Sequence, residues 1–318
     1  MAEVRETGAA VAGRGELHEA IRALVARAPT IETSAKNVVE IDGYRSLRPA
    51  GSDVYAAWIP GTPYHHLVSI ARHLRAAGMN PVPHIAARRL PDRAAAADFL
   101  ARLAGEAGVT RALVVAGDSP AAAGPFASSV ELLESGLLQA HGIRSVGVAG
   151  YPEGHRALAA DALHGALDRK IAYAAANGLE LFVVSQFCFD GQTVLDWLAA
   201  LRARGVQLPV RVGVAGPATV RTLLAYGARC GIGNSLRAIG AQAISLTRIV
   251  ARHGPERLVR RLAAGEAGLG VAGLHFFPFG GFAQTAHWID NVANGRFRLD
   301  ESSGGFGLDD PQTGGKDS

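Results

Sequence analysis

Along the chain, short runs of β-branched and large apolar residues alternate with longer stretches in which apolar positions recur at i, i+3, i+4 and i+7. Parallel strands joined by helical crossovers require that alternation. The β-like runs are APTIETSA (28–35), DVYAAWIP (53–60), NPVPHIAA (80–87), RALVVAGD (111–118), RSVGVAGYP (144–152), LELFVVSQF (179–187), LPVRVGVAG (208–216) and GVAGLHFFPF (270–279). Two helical stretches, HHLVSIARHLRAAG and TVLDWLAALRARG, close on Gly78 and Gly205, the residue type best suited to end a helix. Eight strands fit a single (β/α)8 TIM barrel, whereas a doubly wound open sheet usually needs about five to seven. The barrel is expected over residues 15–298, with loose tails at 1–14 and 299–318, where small and polar residues offer little apolar surface to bury.

In such barrels the chemistry sits at the C-terminal ends of the strands. Those ends carry Glu32, Trp58, His84, Asp118, Tyr151 with nearby His155, Gln186, and the HFF of the eighth run. Each has a plain alternative: the carboxylates as helix caps or solvated loop acids, His84 as a satisfied core histidine, Tyr151 as part of a turn. Two carboxylates in one cavity can be split in pKa, one neutral and one ionised. In LELFVVSQFCFD, period-two alternation puts Phe182, Val184 and Gln186 on one face, the inner one in a barrel, with Gln186 at the open end. An amide capping the following helix is the competing reading.

Composition narrows the classes. The chain has 318 residues, 48% apolar and 19% charged, enough for a full core. Its 32 Lys+Arg against 28 Asp+Glu are dispersed, which argues against a nucleic-acid groove. Only Lys36, Lys170 and Lys316 are lysines in an arginine-rich background, so an isolated lysine is informative. Cys188 and Cys230 lie apart and without metal-ligand spacing, so reduced thiols and no metal site are expected, and His65, His66 and His73 lack the spacing of a zinc helix. No apolar run approaches the ~18 residues of a membrane span, and the first residues lack a signal-peptide core, so a soluble, cytoplasmic protein is expected. GIGNSL (231–236) lacks the third glycine of a dinucleotide fingerprint. GDSPAAAGPFASS (117–129) is a long small-residue loop leading into a helix whose N-terminus could face a phosphate or a flavin, with no Walker lysine; no Gly-x-Ser-x-Gly elbow occurs.

Together, VVAGDSPAAAGPFASSVELL, GVAGYPEGH, LDRKIAYAAANG, LFVVSQFCFD and GLHFFPF, in this order and spacing, resemble the methylenetetrahydrofolate reductase family over about residues 28–290. The resemblance implies a flavoprotein barrel of one-carbon metabolism that uses NADH or NADPH to reduce 5,10-methylenetetrahydrofolate to 5-methyltetrahydrofolate. It implies catalytic roles for Glu32, which assists protonation of the folate N10, and Asp118, beside the flavin. It implies FAD contacts from His84, Gly117, Asp118, Ala127, Tyr151, His155, Arg169 and Lys170, and substrate contacts from Gln186 and Phe277. It also implies a homo-oligomer. The sequence departs from the family at VYAAWIPG after the second strand, where Trp58 could take over part of the flavin contact. It departs again at Ala116 in place of an arginine, at Val220 in place of a stacking aromatic, and at FPFGGF after the eighth strand.

The implied mechanism is ping-pong: nicotinamide gives hydride to the flavin N5, leaves, and folate takes its place. Protonation by Glu32 would require a carboxyl pKa raised by an apolar pocket. Two other functions fit the same barrel: a folate-dependent methyltransferase or demethylase, and a non-catalytic folate- or flavin-binding subunit.

Overall fold

The computed structural model describes residues 13–34, 40–41, 49–230 and 252–309. Eight parallel strands close into a barrel: β1 (Thr30–Thr33), β2 (Asp53–Ala56), β3 (Asn80–Ala86), β4 (Arg111–Val115), β5 (Ser145–Gly150), β6 (Glu180–Ser185), β7 (Val210–Ala215) and β8 (Val271–Phe277). Each falls inside the corresponding predicted run. Neighbours in sequence are neighbours in the ring, and β8 closes it on β1 with Thr30 opposite His275 and Ile31 opposite Phe276.

Around the strands lie α1 (Arg14–Ala26), α2 (Tyr64–Ala76), α3 (Arg93–Ala107), α4 (Ala160–Ala176), α5 (Gly191–Ala203), α6 (Val220–Cys230), α7 (Glu256–Gly265) and α8 (Phe282–Ala293). Local chemistry sets their ends. Asp92 caps α3 by accepting from the Ala95 amide at 2.7 Å, and Asp190 caps α5 through the Gln192 and Thr193 amides at 3.2 and 3.1 Å. Gly78 and Gly205 follow α2 and α5 with φ of +79° and +80°, as their place in the sequence predicts.

Alternation along the strands divides the core in two. Ile31, Val54, Ile85, Val114, Val183 and Phe276 face outward beneath the helices, while Tyr55, Val82, Leu113, Phe182 and Val184 fill the barrel. Burying each such side chain is worth roughly 1.5–3 kcal/mol. Phe182 fits inside because its neighbour across β5 is Gly147, where a Cβ would stand 2.8 Å from the Phe182 ring.

The N-terminal mouth is closed by charge. Asp53 accepts from Arg111 at 2.6 Å with Arg211 at 3.8 Å, and Glu180 shares with both arginines a cavity of about 420 Å³. Two cations and two carboxylates balance there, as suits the stability face of a barrel.

The stretch 299–309 is not loose, as its composition suggested. Phe297–Asp300 and Gly305–Leu308 form an antiparallel hairpin. Phe306 packs on Phe297 and Trp288 with ring centroids 4.7 and 6.0 Å apart, and His18 of α1 stacks on Phe297 at 4.1 Å. Phe306 supplies the apolar surface that the small residues around it lack.

Replacing Gly147 by valine should overpack the barrel and destabilise it by about 1–3 kcal/mol. Thermal unfolding followed by circular dichroism checks this; an unchanged midpoint would mean the interior has room to spare.

Candidate active site at the C-terminal mouth

Because β1 points Thr30 and Glu32 inward, closure of the barrel sets a carboxylate among inward side chains of three other strands. Glu32 lies opposite Tyr55 of β2 in the ladder. Its Oε1 is 3.1 Å from Nε2 of His84 on β3 and 3.3 Å from Nε2 of His275 on β8. The His275 contact is aligned as a hydrogen bond, whereas His84 Nε2 approaches off that line and makes none. Both imidazoles meet the same oxygen, and Oε2 has no hydrogen-bond partner among the described residues.

Burial on its own would push this carboxyl up. The charge of His84 and the hydrogen bond from His275 outweigh burial and hold it at about 2. That is opposite in direction to the raised pKa required of a resident acid, so Glu32 is ionised at neutral pH. Burial pushes His275 below the ordinary histidine range, against the opposing pull of Glu32, which leaves its imidazole neutral.

Beside this centre stands an aromatic wall. Phe277 meets His275 edge-on at 4.8 Å and Phe187 at 5.5 Å, Phe279 lies parallel to Phe277 at 5.8 Å, and Tyr226 of α6 stacks on Phe279 at 4.1 Å. Such rings suit a flat heteroaromatic ligand. Gln186 ends β6 above Val184, and its Oε1 accepts from the Phe187 amide at 3.0 Å. The cap of the next helix is Asp190, so the amide does not serve as that cap. Val220, at the position of the family's stacking aromatic, is buried, and so is Trp58. Trp58 donates to the Thr62 carbonyl at 2.7 Å and packs edge-on against Phe99 at 5.4 Å, within the outer layer.

The positions that the resemblance assigns to FAD are largely committed within the chain. Asp118 pairs with Arg89, which also donates to the Trp58 carbonyl at 2.6 Å. The loop from Gly117 is bolted to the turn after β3: Arg88 donates to the Ala127 and Ser119 carbonyls at 2.8 and 3.2 Å, and Ala123 N–H donates to the Arg88 carbonyl at 2.8 Å. Gly124 lies so close to Pro91 that a Cβ would come 2.2 Å from its carbonyl oxygen. The Ala127 amide donates to Glu131 at 2.6 Å, and Ser128 caps the helix that follows, Ser129–Glu134, which is only six residues long. Arg169 is bound to Glu134 at 2.6 Å. Tyr151 and His155 meet edge-on at 5.0 Å, and burial raises the pKa of the first and lowers that of the second. Lys170, buried in α4 with no ion-pair partner among the described residues, is pushed down to about 8 by burial.

Glu32, His84, Gln186 and Phe277 thus converge on the barrel mouth, while Asp118, Ala127 and Arg169 face partners of their own. Thr30 and Arg89 were not singled out in the sequence, and His275 was noted only within the HFF that ends the eighth run, with no role assigned to it. The one available signal was that His275 and Phe277 share the parity that points a strand inward. GIGNSL and Lys36 lie outside the described residues. Among the described residues, no three metal-ligating side chains are grouped to hold an ion, and no helix is long and apolar enough to cross a membrane.

A buried cation opposes folding until it loses its proton. The folded-state pKa of Lys170 is below its ordinary 10.5, so its penalty is full below about pH 8 and is relieved as pH rises towards 10.5. Lys170→Met should therefore raise stability at pH 7 by up to about 3 kcal/mol and remove the gain between pH 8 and 10.5. Denaturant titrations across that range measure both effects, and a destabilised variant would reveal an anionic partner.

The family model described as methylenetetrahydrofolate reductase matches residues 28–230, the segment that carries Glu32, His84 and Gln186. Among solved structures, an uncharacterised protein from Clostridium thermocellum aligns with a TM-score of 0.55 at 12% identity, covering 87% of this chain and 97% of that one. That protein binds two copies of 5-methyl-5,6,7,8-tetrahydrofolic acid. A conserved protein of unknown function from Enterococcus faecalis aligns at 11% identity with a TM-score of 0.46, covering 84% of this chain and 65% of that one. The likeness to the Clostridium thermocellum protein supports the barrel, and with a family match over most of the barrel strands, the chain belongs to the methylenetetrahydrofolate reductase family.

Proposed function

We propose that this chain is a reductase that carries hydride from NAD(P)H to 5,10-methylenetetrahydrofolate, yielding 5-methyltetrahydrofolate. The observation that carries the reading is a buried, ionised Glu32 between two imidazoles, at the open end of a barrel and beside an aromatic wall. Opening the folate's five-membered ring breaks the bond from the methylene carbon to N10, which takes up a proton, and leaves a cationic iminium at N5. Hydride then adds to the methylene carbon, and a methyl group results. A fixed carboxylate in a dry pocket stabilises the cation as it develops. Held near 2, Glu32 does not store the proton; His84, 3.1 Å away and at the mouth, is the group placed to deliver it. The Clostridium thermocellum protein's bound methyltetrahydrofolate supports a folate pocket on this barrel.

The same geometry bears on the cofactor. A tightly held flavin dinucleotide needs free cations or N–H donors for its pyrophosphate. Here Arg169 and the Ala127 amide are spent on Glu134 and Glu131, Asp118 is neutralised by Arg89, and Lys170 is the remaining buried cation. These residues do not fit a resident FAD, so no step is assigned to one.

Purified protein given NADH and methylenetetrahydrofolate should form methyltetrahydrofolate, and its absorbance spectrum should lack a flavin band. A yellow protein bleached by NADH would overturn the cofactor reading. Methyltetrahydrofolate binding without NAD(P)H-driven turnover would favour a folate-binding protein instead. Glu32→Gln should lower kcat by about 10²–10⁴-fold. Gln186→Ala should act mainly on KM for folate; equal KM values for variant and parent would remove Gln186 from the pocket.

A further inference from the structure

Below Glu32 lies a second layer of contacts that the reaction does not by itself explain. His275 is wholly buried, and Thr30, its partner in the β1–β8 ladder, is 1% exposed. Thr30 Oγ1 lies 2.9 Å from His275 Nδ1 and 3.4 Å from the Leu274 carbonyl oxygen, while His275 Nε2 faces Glu32 Oε1 at 3.3 Å. Tyr55 packs edge-on against the same imidazole at 4.4 Å and Phe277 at 4.8 Å, so the ring cannot turn.

One hydroxyl proton has two possible acceptors here, and the choice decides the imidazole. If Thr30 donated to the Leu274 carbonyl, Nδ1 would have to carry the ring proton and donate to Thr30. A bare Nε2 lone pair would then face a carboxylate oxygen, a repulsive contact in a site that water cannot screen. If Thr30 donates to Nδ1, the proton sits on Nε2 and donates to Glu32. Only this second arrangement satisfies every group with a neutral imidazole and an ionised carboxylate.

We propose that Thr30 and His275 form a positioning relay under Glu32: the Thr30 hydroxyl locks His275 as the Nε2–H tautomer, and that N–H pins Oε1 so that Oε2 is presented to the substrate's developing cation. His275 and Thr30 act through Glu32 and do not touch the reacting atoms. The turnover consequence rests on the reductase reading; the tautomer does not.

Nitrogen-15 spectra of histidine-labelled protein test it, with the His275 signal identified by its loss in His275→Gln. Between pH 6 and 8 the wild-type signal should be that of a neutral Nε2–H imidazole. Thr30→Val should lose that tautomer and lower kcat about tenfold or more, leaving KM for NADH within about twofold. Thr30→Ser, which keeps the hydroxyl, should retain both, and it guards against a valine variant that fails to fold. An Nδ1–H tautomer or an imidazolium in the wild type would overturn the proposal, as would valine and serine variants that match in spectrum and rate. The expected tautomer in a chain that turns over no folate would uphold the relay and sink the reductase reading.

Discussion

A carboxylate stripped of water inside a barrel is the constraint on which the site depends. Removing such a charge from solvent costs several kcal/mol unless neighbours replace the lost hydration. At Glu32 they are imidazoles from strands on both sides, one neutral and fixed, one nearer the opening. Neither could be supplied by β1 itself. The strand thus depends on the closed ring to keep its charge, and the chemistry is inseparable from barrel closure.

The rim on the β3–β4 side obeys a different economy. Adjacent arginines, Arg88 and Arg89, tie the long loop after β4 to the turn after β3 through carbonyls and a carboxylate. A guanidinium with five donors can hold several acceptors at once, which stiffens a loop of small residues that could not order itself by apolar packing. The stiffness uses up polar groups that would otherwise face a ligand. Affinity at this rim is therefore set as much by internal bonds as by residue type.

The architecture was legible because strand and helix periods are local properties: all eight barrel strands fall within runs visible in the sequence. Glu32, His84 and Gln186 were legible from one positional rule, polar residues where apolar runs end. His275 was noted only as part of the HFF, and its pairing with Glu32 was not legible, since a histidine between Leu274 and Phe276 reads as core until closure puts β8 beside β1. Arg89 was missed for a similar reason, its partner Asp118 being 29 residues away. The terminal hairpin was hidden by its Gly and Ser content, although Phe306 was a sign that something there could be buried.

The ladder that closes the barrel joins its first strand to its last, and Glu32 and His275 are separated by 243 residues. A chain emerging from the ribosome can form β2 to β7 side by side long before β8 exists. During that interval Glu32 has His84 but not His275, and β1 and β7, the two strands that β8 will join, each present an open edge. The candidate site is thus completed only when the last strand of the barrel has been made. A truncated or stalled product would carry nearly the whole barrel without its finished site, and would leave the β1 edge available to another chain.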